Sequence, residues 1–214
     1  MIRLLGRQTS GNVQKVIFCL EEIRLPYVRE DYGRQFGNTS TGEYRKLNPN
    51  AKVPTLIDGD LVIWESHTIL RYLAAVHAPA LTGATPGERT LVERWMDWLL
   101  ASLNTPYVAV FKDAKKPAPE RAPDFPAQVA DLVAQLGILN AHLAGRKWFA
   151  LDRLTLGDIA LASIVKRCLE FPIERPAFAD VERWQTELDS RPAFAVATGA
   201  KPSTPPQAAR AGAL

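Results

Sequence analysis

Residues 48–76, NPNAKVPTLIDGDLVIWESHTILRYLAAV, decide the fold class. Within them Thr55 to Ile57 and Leu61 to Trp64 are apolar runs flanking Asp58-Gly59, a two-residue turn signal, so they read as a hairpin. Glu65-Ser66 then opens a helix whose apolar positions Ile69, Leu70, Leu73 and Val76 fall on one face. Upstream, Met1 to Leu5 is a short apolar run ended by Gly6 and reads as a buried strand. Val13, Val16, Ile17, Leu20 and Ile23 recur at helical spacing behind Asn12 as N-cap, and Tyr27 to Asp31 follows Pro26 as a second strand. The order β-α-β, then β-β-α, predicts an α/β domain over residues 1–76.

Downstream the alternating pattern disappears. His77 to Gly87 is rich in Ala, Pro, Gly and Thr and reads as a linker (77–87). Glu88 to Phe111 carries Leu91, Trp95, Trp98, Leu99 and Leu103 at helical spacing, with Pro106 expected to kink it or end its first half. Lys115 to Pro126 holds four prolines and is expected to be a loop, before a helix over Ala127 to Ala144. Thr155 and Asp158 have the spacing of a capping box at the start of the next helix, and another is expected from Ala179 to Ser190. An all-helical domain over 88–200 and an unstructured tail over 201–214 complete the reading.

Composition narrows the function classes. The chain has 214 residues, 47% of them hydrophobic, which is ample for a buried core. Lys+Arg 26 against Asp+Glu 23 gives a net charge of only +3, with no basic concentration in either part, so a nucleic-acid partner is not expected. No apolar run reaches the roughly 18 residues of a membrane span, and MIRLLGRQTSGN is too polar for a secretory signal core. Cys19 and Cys168 make no CxxC pair, and His67, His77 and His142 show no ligand spacing, so neither a redox dithiol nor a metal is expected. These features favour a soluble, cytoplasmic protein.

Three local patterns carry a resemblance: SGNVQKV at the first strand-to-helix turn, AKVP before a strand, and WESHTILRYL opening the third helix. In this order and spacing the chain resembles a cytosolic glutathione S-transferase of bacterial type, over roughly residues 1–195. The resemblance implies a thioredoxin-like glutathione-binding domain followed by an all-helical domain. It also implies a homodimer, glutathione as co-substrate, and a hydrophobic small-molecule electrophile as second substrate.

The site residues follow from those patterns. A cis bend at Val53-Pro54 would aim the Val53 N–H and C=O at the peptide like an added strand. Ser66 at a helix N-terminus suits the γ-glutamyl carboxylate, Glu65 the α-ammonium, and Lys52 the glycyl carboxylate. The S-x-N-x-x-K spacing of Ser10, Asn12 and Lys15 is similar to that of serine-type classes, phi and theta among them, and places Ser10, Gly11 and Asn12 beside the thiol. A free thiol near pKa 8.5 is only about 3% ionised at pH 7, so a donor to sulfur is the central requirement. Ser10, Asn12 and Thr9 are the candidate donors; the first tyrosine, Tyr27, lies past the turn, and Cys19 falls inside the helix. Trp98, Asn104, Tyr107 and Phe111 are candidates for the electrophile's wall. The expected activity is thiolate attack on hydrophobic electrophiles, with reduction of organic hydroperoxides as a further possibility. The alternative is a non-catalytic glutathione-binding or protein-interaction module on the same fold.

Overall fold

The computed structural model describes residues 1–201, so the expected tail over 201–214 lies, but for Lys201, outside the described residues. The described chain forms two units, one of Met1–Ala78 together with the segment from Arg191, the other Pro79–Ser190.

The first unit is built on β1 (Ile2–Leu5), α1 (Gly11–Glu22), β2 (Tyr27–Glu30), α2 (Gly42–Leu47), β3 (Thr55–Asp58), β4 (Leu61–Trp64) and α3 (Ser66–His77). The sheet order is β2-β1-β3-β4, with β1 parallel to β2 and antiparallel to β3. The expected β-α-β and β-β-α halves are both present. The hairpin loop is Gly59-Asp60, one residue later than expected, because Asp58 still pairs with Leu61. Leu4, Leu5, Leu56 and, from the helices, Val16, Ile17, Phe18, Ile69 and Leu70 are fully buried and form the core.

Two short helices were not legible in the sequence. The α2 helix has six residues and is capped by Thr41, whose hydroxyl accepts from the Tyr44 N–H at 3.2 Å. The other, α9 (Pro192–Thr198), packs against α1 in the first unit, so the segment 191–200 does not continue the helical domain as expected. Phe194 meets Phe18 with ring centroids 5.0 Å apart, and the Gln8 amide donates to the carbonyls of Val196 and Ala197 at 2.8 and 3.0 Å. Arg191 pairs with Glu22 at the far end of α1.

The second unit holds α4 (Pro86–Trp98), α5 (Asn104–Asp113), α6 (Phe125–Leu143), α7 (Leu156–Glu170) and α8 (Ala179–Asp189). The expected linker is shorter than 77–87, since α3 reaches His77 and α4 begins at Pro86 behind a Thr85 cap. Pro106 does not end the long helix. A π-helical turn over Leu99–Leu103, closed by the Asn104 N–H on the Leu99 carbonyl, joins α4 to α5. Proline lacks an N–H and crowds the carbonyl four residues back, here Ser102, and the widened turn falls on that residue. The proline-rich loop ends earlier than expected, because Pro126 sits in the first turn of α6, where its missing N–H costs nothing.

Asp158 anchors this unit. It is fully buried and accepts from the Thr155 N–H (2.9 Å), the Thr155 hydroxyl (3.0 Å), the Phe149 N–H (3.0 Å) and the Trp184 indole (3.0 Å). The expected start of α7 is therefore correct, and the carboxylate also ties α7 to α8 and to the preceding loop. Burial outweighs these four donors and pushes the carboxyl up to about 6.

Candidate active site

A cleft of about 320 Å³ opens beside the first turn of α1. Ser10, Asn12, Lys52 and Val53, all expected from the sequence, line it together with Arg7, Gly33, Arg34, Thr39 and Ala51. Gly11, Pro54, Glu65 and Ser66 do not form its walls.

The chain leaves β1 through Gly6 and turns so that the Ser10 N–H meets the Arg7 carbonyl at 3.1 Å. Ser10 then occupies the N-cap position of α1 with extended backbone, φ −82° and ψ 123°. A serine there usually bonds an N–H of the first turn. Here the hydroxyl makes no capping bond, although the residue is 7% exposed. It faces the cleft without another partner among the described residues. Asn12 is exposed, and its Oδ1 accepts from the Ser66 hydroxyl at 3.5 Å, the long limit for such a bond. That contact links the first turns of α1 and α3. Thr9 is exposed and lies outside the cleft's walls.

The Val53-Pro54 bond is cis, as the AKVP pattern suggested. A buried polar cluster fixes the residue before it. The Lys52 carbonyl accepts from the Tyr44 hydroxyl at 2.7 Å and from the Asn48 amide at 2.9 Å, and both donors also contact the Thr55 hydroxyl. Supplying Tyr44 is the structural use of α2, and Asn48 follows directly as its C-cap.

Glu65, not Ser66, is the N-cap of α3, at φ 70° and ψ 117°. This backbone is rare for a residue with a side chain and costs on the order of 1–3 kcal/mol. Ser66 is buried, and its N–H, at the positive end of a twelve-residue helix, meets no acceptor among the described residues. Below these turns Lys15 is 2% exposed with its Nζ 3.1 Å from His67 Nε2, a contact joining α1 to α3. An ammonium only donates, so a charged Lys15 requires His67 to accept at Nε2.

Sequence reading missed Arg7 and Arg34. With Lys52 they place three cations on the cleft, and among the described residues no carboxylate lines it. Gly33 makes room for Arg7: a Cβ there would stand 2.9 Å from Arg7 Nη1. The signal for Arg34 and Thr39 lay in the polar stretch after β2, which offers no periodicity to read.

Other nucleophiles and acids are set aside by their surroundings. Cys19 is fully buried and desolvation pushes its thiol up to about 12; Cys168 is likewise buried and raised. Burial, then the hydrogen bond to Glu21, raises the Tyr27 phenol. Among the described residues no group of three or more His, Cys, Asp or Glu could hold a metal ion, and no helix is long and apolar enough to cross a membrane.

The four candidates for the electrophile's wall, three of them aromatic, lie in the second unit and divide. Tyr107 and Phe111 cluster with Phe171, a residue the sequence did not suggest, at centroid distances of 6.0 to 6.4 Å. Trp98 instead meets Trp95 at 5.6 Å, and Asn104 is exposed at the start of α5.

Comparison with known proteins decides the family. Residues 9–76 match the model of the glutathione S-transferase N-terminal domain and residues 96–192 that of the C-terminal domain. Glutathione S-transferase GstB of Escherichia coli K12 is 35% identical over 198 residues, covering 90% of this chain and 95% of that protein. The chain belongs to the glutathione S-transferase family. Among solved structures, the theta class glutathione S-transferase of Xanthomonas axonopodis pv. citri with glutathione bound is 39% identical with a TM-score of 0.87, covering 92% of this chain and 96% of that one. Glutathione S-transferase 4 of Zea mays is 30% identical, covering 90% of this chain and 89% of that protein. The mixed sheet of the first unit is accordingly the thioredoxin-like half of this family's fold, and the helices of the second unit belong to its C-terminal domain.

Proposed function

We propose that this glutathione S-transferase ionises the thiol of glutathione through the Ser10 hydroxyl and directs the thiolate at hydrophobic electrophiles. The enzyme is a glutathione transferase and glutathione is its co-substrate. The observation that supports Ser10 is its uncapped hydroxyl in the cleft at the first turn of α1, where the helix N-terminus favours negative charge. A hydrogen bond to a charged acceptor contributes about 1.5–3 kcal/mol, and with the helix N-terminus added this reaches the roughly 2.7 kcal/mol that moves most of the bound thiol into its nucleophilic form near neutral pH.

The tripeptide's ends have matching partners. The γ-glutamyl carboxylate sits at the Ser66 N–H and hydroxyl, the α-ammonium at Glu65, and the glycyl carboxylate at Lys52 with Arg34 nearby. Val53 pairs its backbone with the cysteinyl residue, and Gly11 and Pro54 hold the two flanking turns. Asn12, tied to Ser66, orients the site and is a secondary donor. With an aryl halide the thiolate forms the carbon–sulfur bond and halide leaves. With an organic hydroperoxide it attacks the terminal peroxide oxygen, giving the sulfenic acid and an alkoxide that leaves as the alcohol after protonation, and a second glutathione thiol converts the sulfenic acid to disulfide and water. Tyr107 and Phe111, with Phe171, offer the apolar surface for the electrophile. A cytoplasmic homodimer is the form in which this activity operates.

The test is to titrate the ultraviolet absorbance of bound thiolate in S10A and N12A. S10A should raise the thiol pKa by about one to two units and lower conjugation at pH 7 by about 10- to 100-fold, while N12A keeps an acidic thiol. An unchanged titration in S10A would overturn the assignment.

A further inference from the structure

The second unit contains a separate cavity of about 220 Å³ that shares no residue with the glutathione cleft. Its floor is apolar, made by Leu91, Trp148 and Phe149, and its charged groups are Arg94 on α4, His142 on α6, Arg146 just after α6, and Asp152. No ion pair engages either arginine among the described residues. Arg94 lies over the Trp95 ring at 5.9 Å, and Arg146 donates to the His142 carbonyl at 2.7 Å, which fixes its stem.

The wall is built rather than incidental. Phe149 is held from both sides, its N–H on buried Asp158 and its carbonyl accepting from His142 Nε2 at 2.9 Å. The His142 ring lies flat on Phe149 (5.6 Å, 11°) and against Trp95 at 4.4 Å. Beyond Phe149, Leu151 and Asp152 both take positive φ, 58° and 47°, a conformation uncommon for residues with side chains.

We propose that this cavity binds a small monocarboxylate with a single apolar ring or short apolar body. Two guanidiniums against one carboxylate leave a single positive charge, which matches a monoanion, and the aromatic floor matches an apolar body. The volume is below that of drug-sized pockets, which limits the ligand to one ring. A backbone carbonyl only accepts, so the His142 proton rests on Nε2, and Nδ1 gains a proton to donate only when the ring is charged. Burial, and then the charges of Arg146 and Arg94, hold His142 below its ordinary value, and a bound anion reverses the electrostatic part. The inference does not depend on the thiol chemistry.

Benzoate is the probe and benzamide, its neutral isostere, the control, added to the full chain at constant ionic strength while the ring resonances of the three histidines are followed by NMR. Benzoate should shift His142 saturably and raise its titration midpoint by about one pH unit, leaving His77 unmoved. R94Q and R146Q, both exposed positions outside the glutathione cleft, should each weaken benzoate about tenfold while conjugation continues. Absence of saturation, an equal response to benzamide, or indifference to both substitutions would each overturn the proposal.

Discussion

At the scale of single residues, the cleft depends on backbone states that side chains ordinarily avoid. Gly33 sits at φ 85° and ψ 164°, a region open essentially to glycine alone, and its missing Cβ is what lets Arg7 lie across it. G33A should therefore lose about 1–3 kcal/mol of stability by urea denaturation. It should also raise the KM for glutathione more than it lowers kcat, because Arg7 is displaced while Ser10 stays in place. A KM unchanged alongside the stability loss would separate Arg7 from tripeptide binding. Ser10, Ser66 and the Val53-Pro54 pair were legible because each stands at a helix or strand start that adjacent residues mark. Arg7, Arg34 and the Tyr44–Asn48–Thr55 cluster were not, since only the tertiary fold brings them to the cleft.

At the scale of elements, length governed what could be read. The long helices α4, α6, α7 and α8 offer several turns of apolar spacing, and Thr155 with Asp158 marks one start chemically. Six residues of α2 and seven of α9 give too few turns for periodicity, so both escaped notice. Pro106 marks an interruption as expected, but a widened turn over Leu99–Leu103 absorbs it and the helical chain runs on into α5. The α9 helix nevertheless carries weight: Phe194 is 1% exposed against Phe18. F194A should cost about 3 kcal/mol in urea denaturation, the usual order for a buried phenylalanine truncation. A loss below about 1 kcal/mol would mean that α9 merely rests on α1.

At the scale of the whole molecule, buried Asp158 and half-buried His142 oppose one another as the medium is acidified. Asp158 is raised from 3.8 to about 6, so in that interval the folded chain takes a proton that the unfolded chain does not, and stability from this group increases as pH falls. His142 is lowered from 6.5, so the unfolded chain protonates first and stability from this group is lost as pH falls below 6.5. Between pH 7 and 4, D158N should therefore show a steeper acid loss of urea midpoint than the parent protein, and H142Q a shallower one. Identical slopes in all three proteins would refute both assignments.

The return of α9 to the first unit also orders events during synthesis. Because Phe18 waits for Phe194, the thioredoxin-like half stays open along one flank of α1 until the helices between them have been synthesised, and those helices can close before it does. A ribosome stalled before Pro192 would hold a nascent chain in which that flank of α1 is still unsealed, a natural target for chaperones.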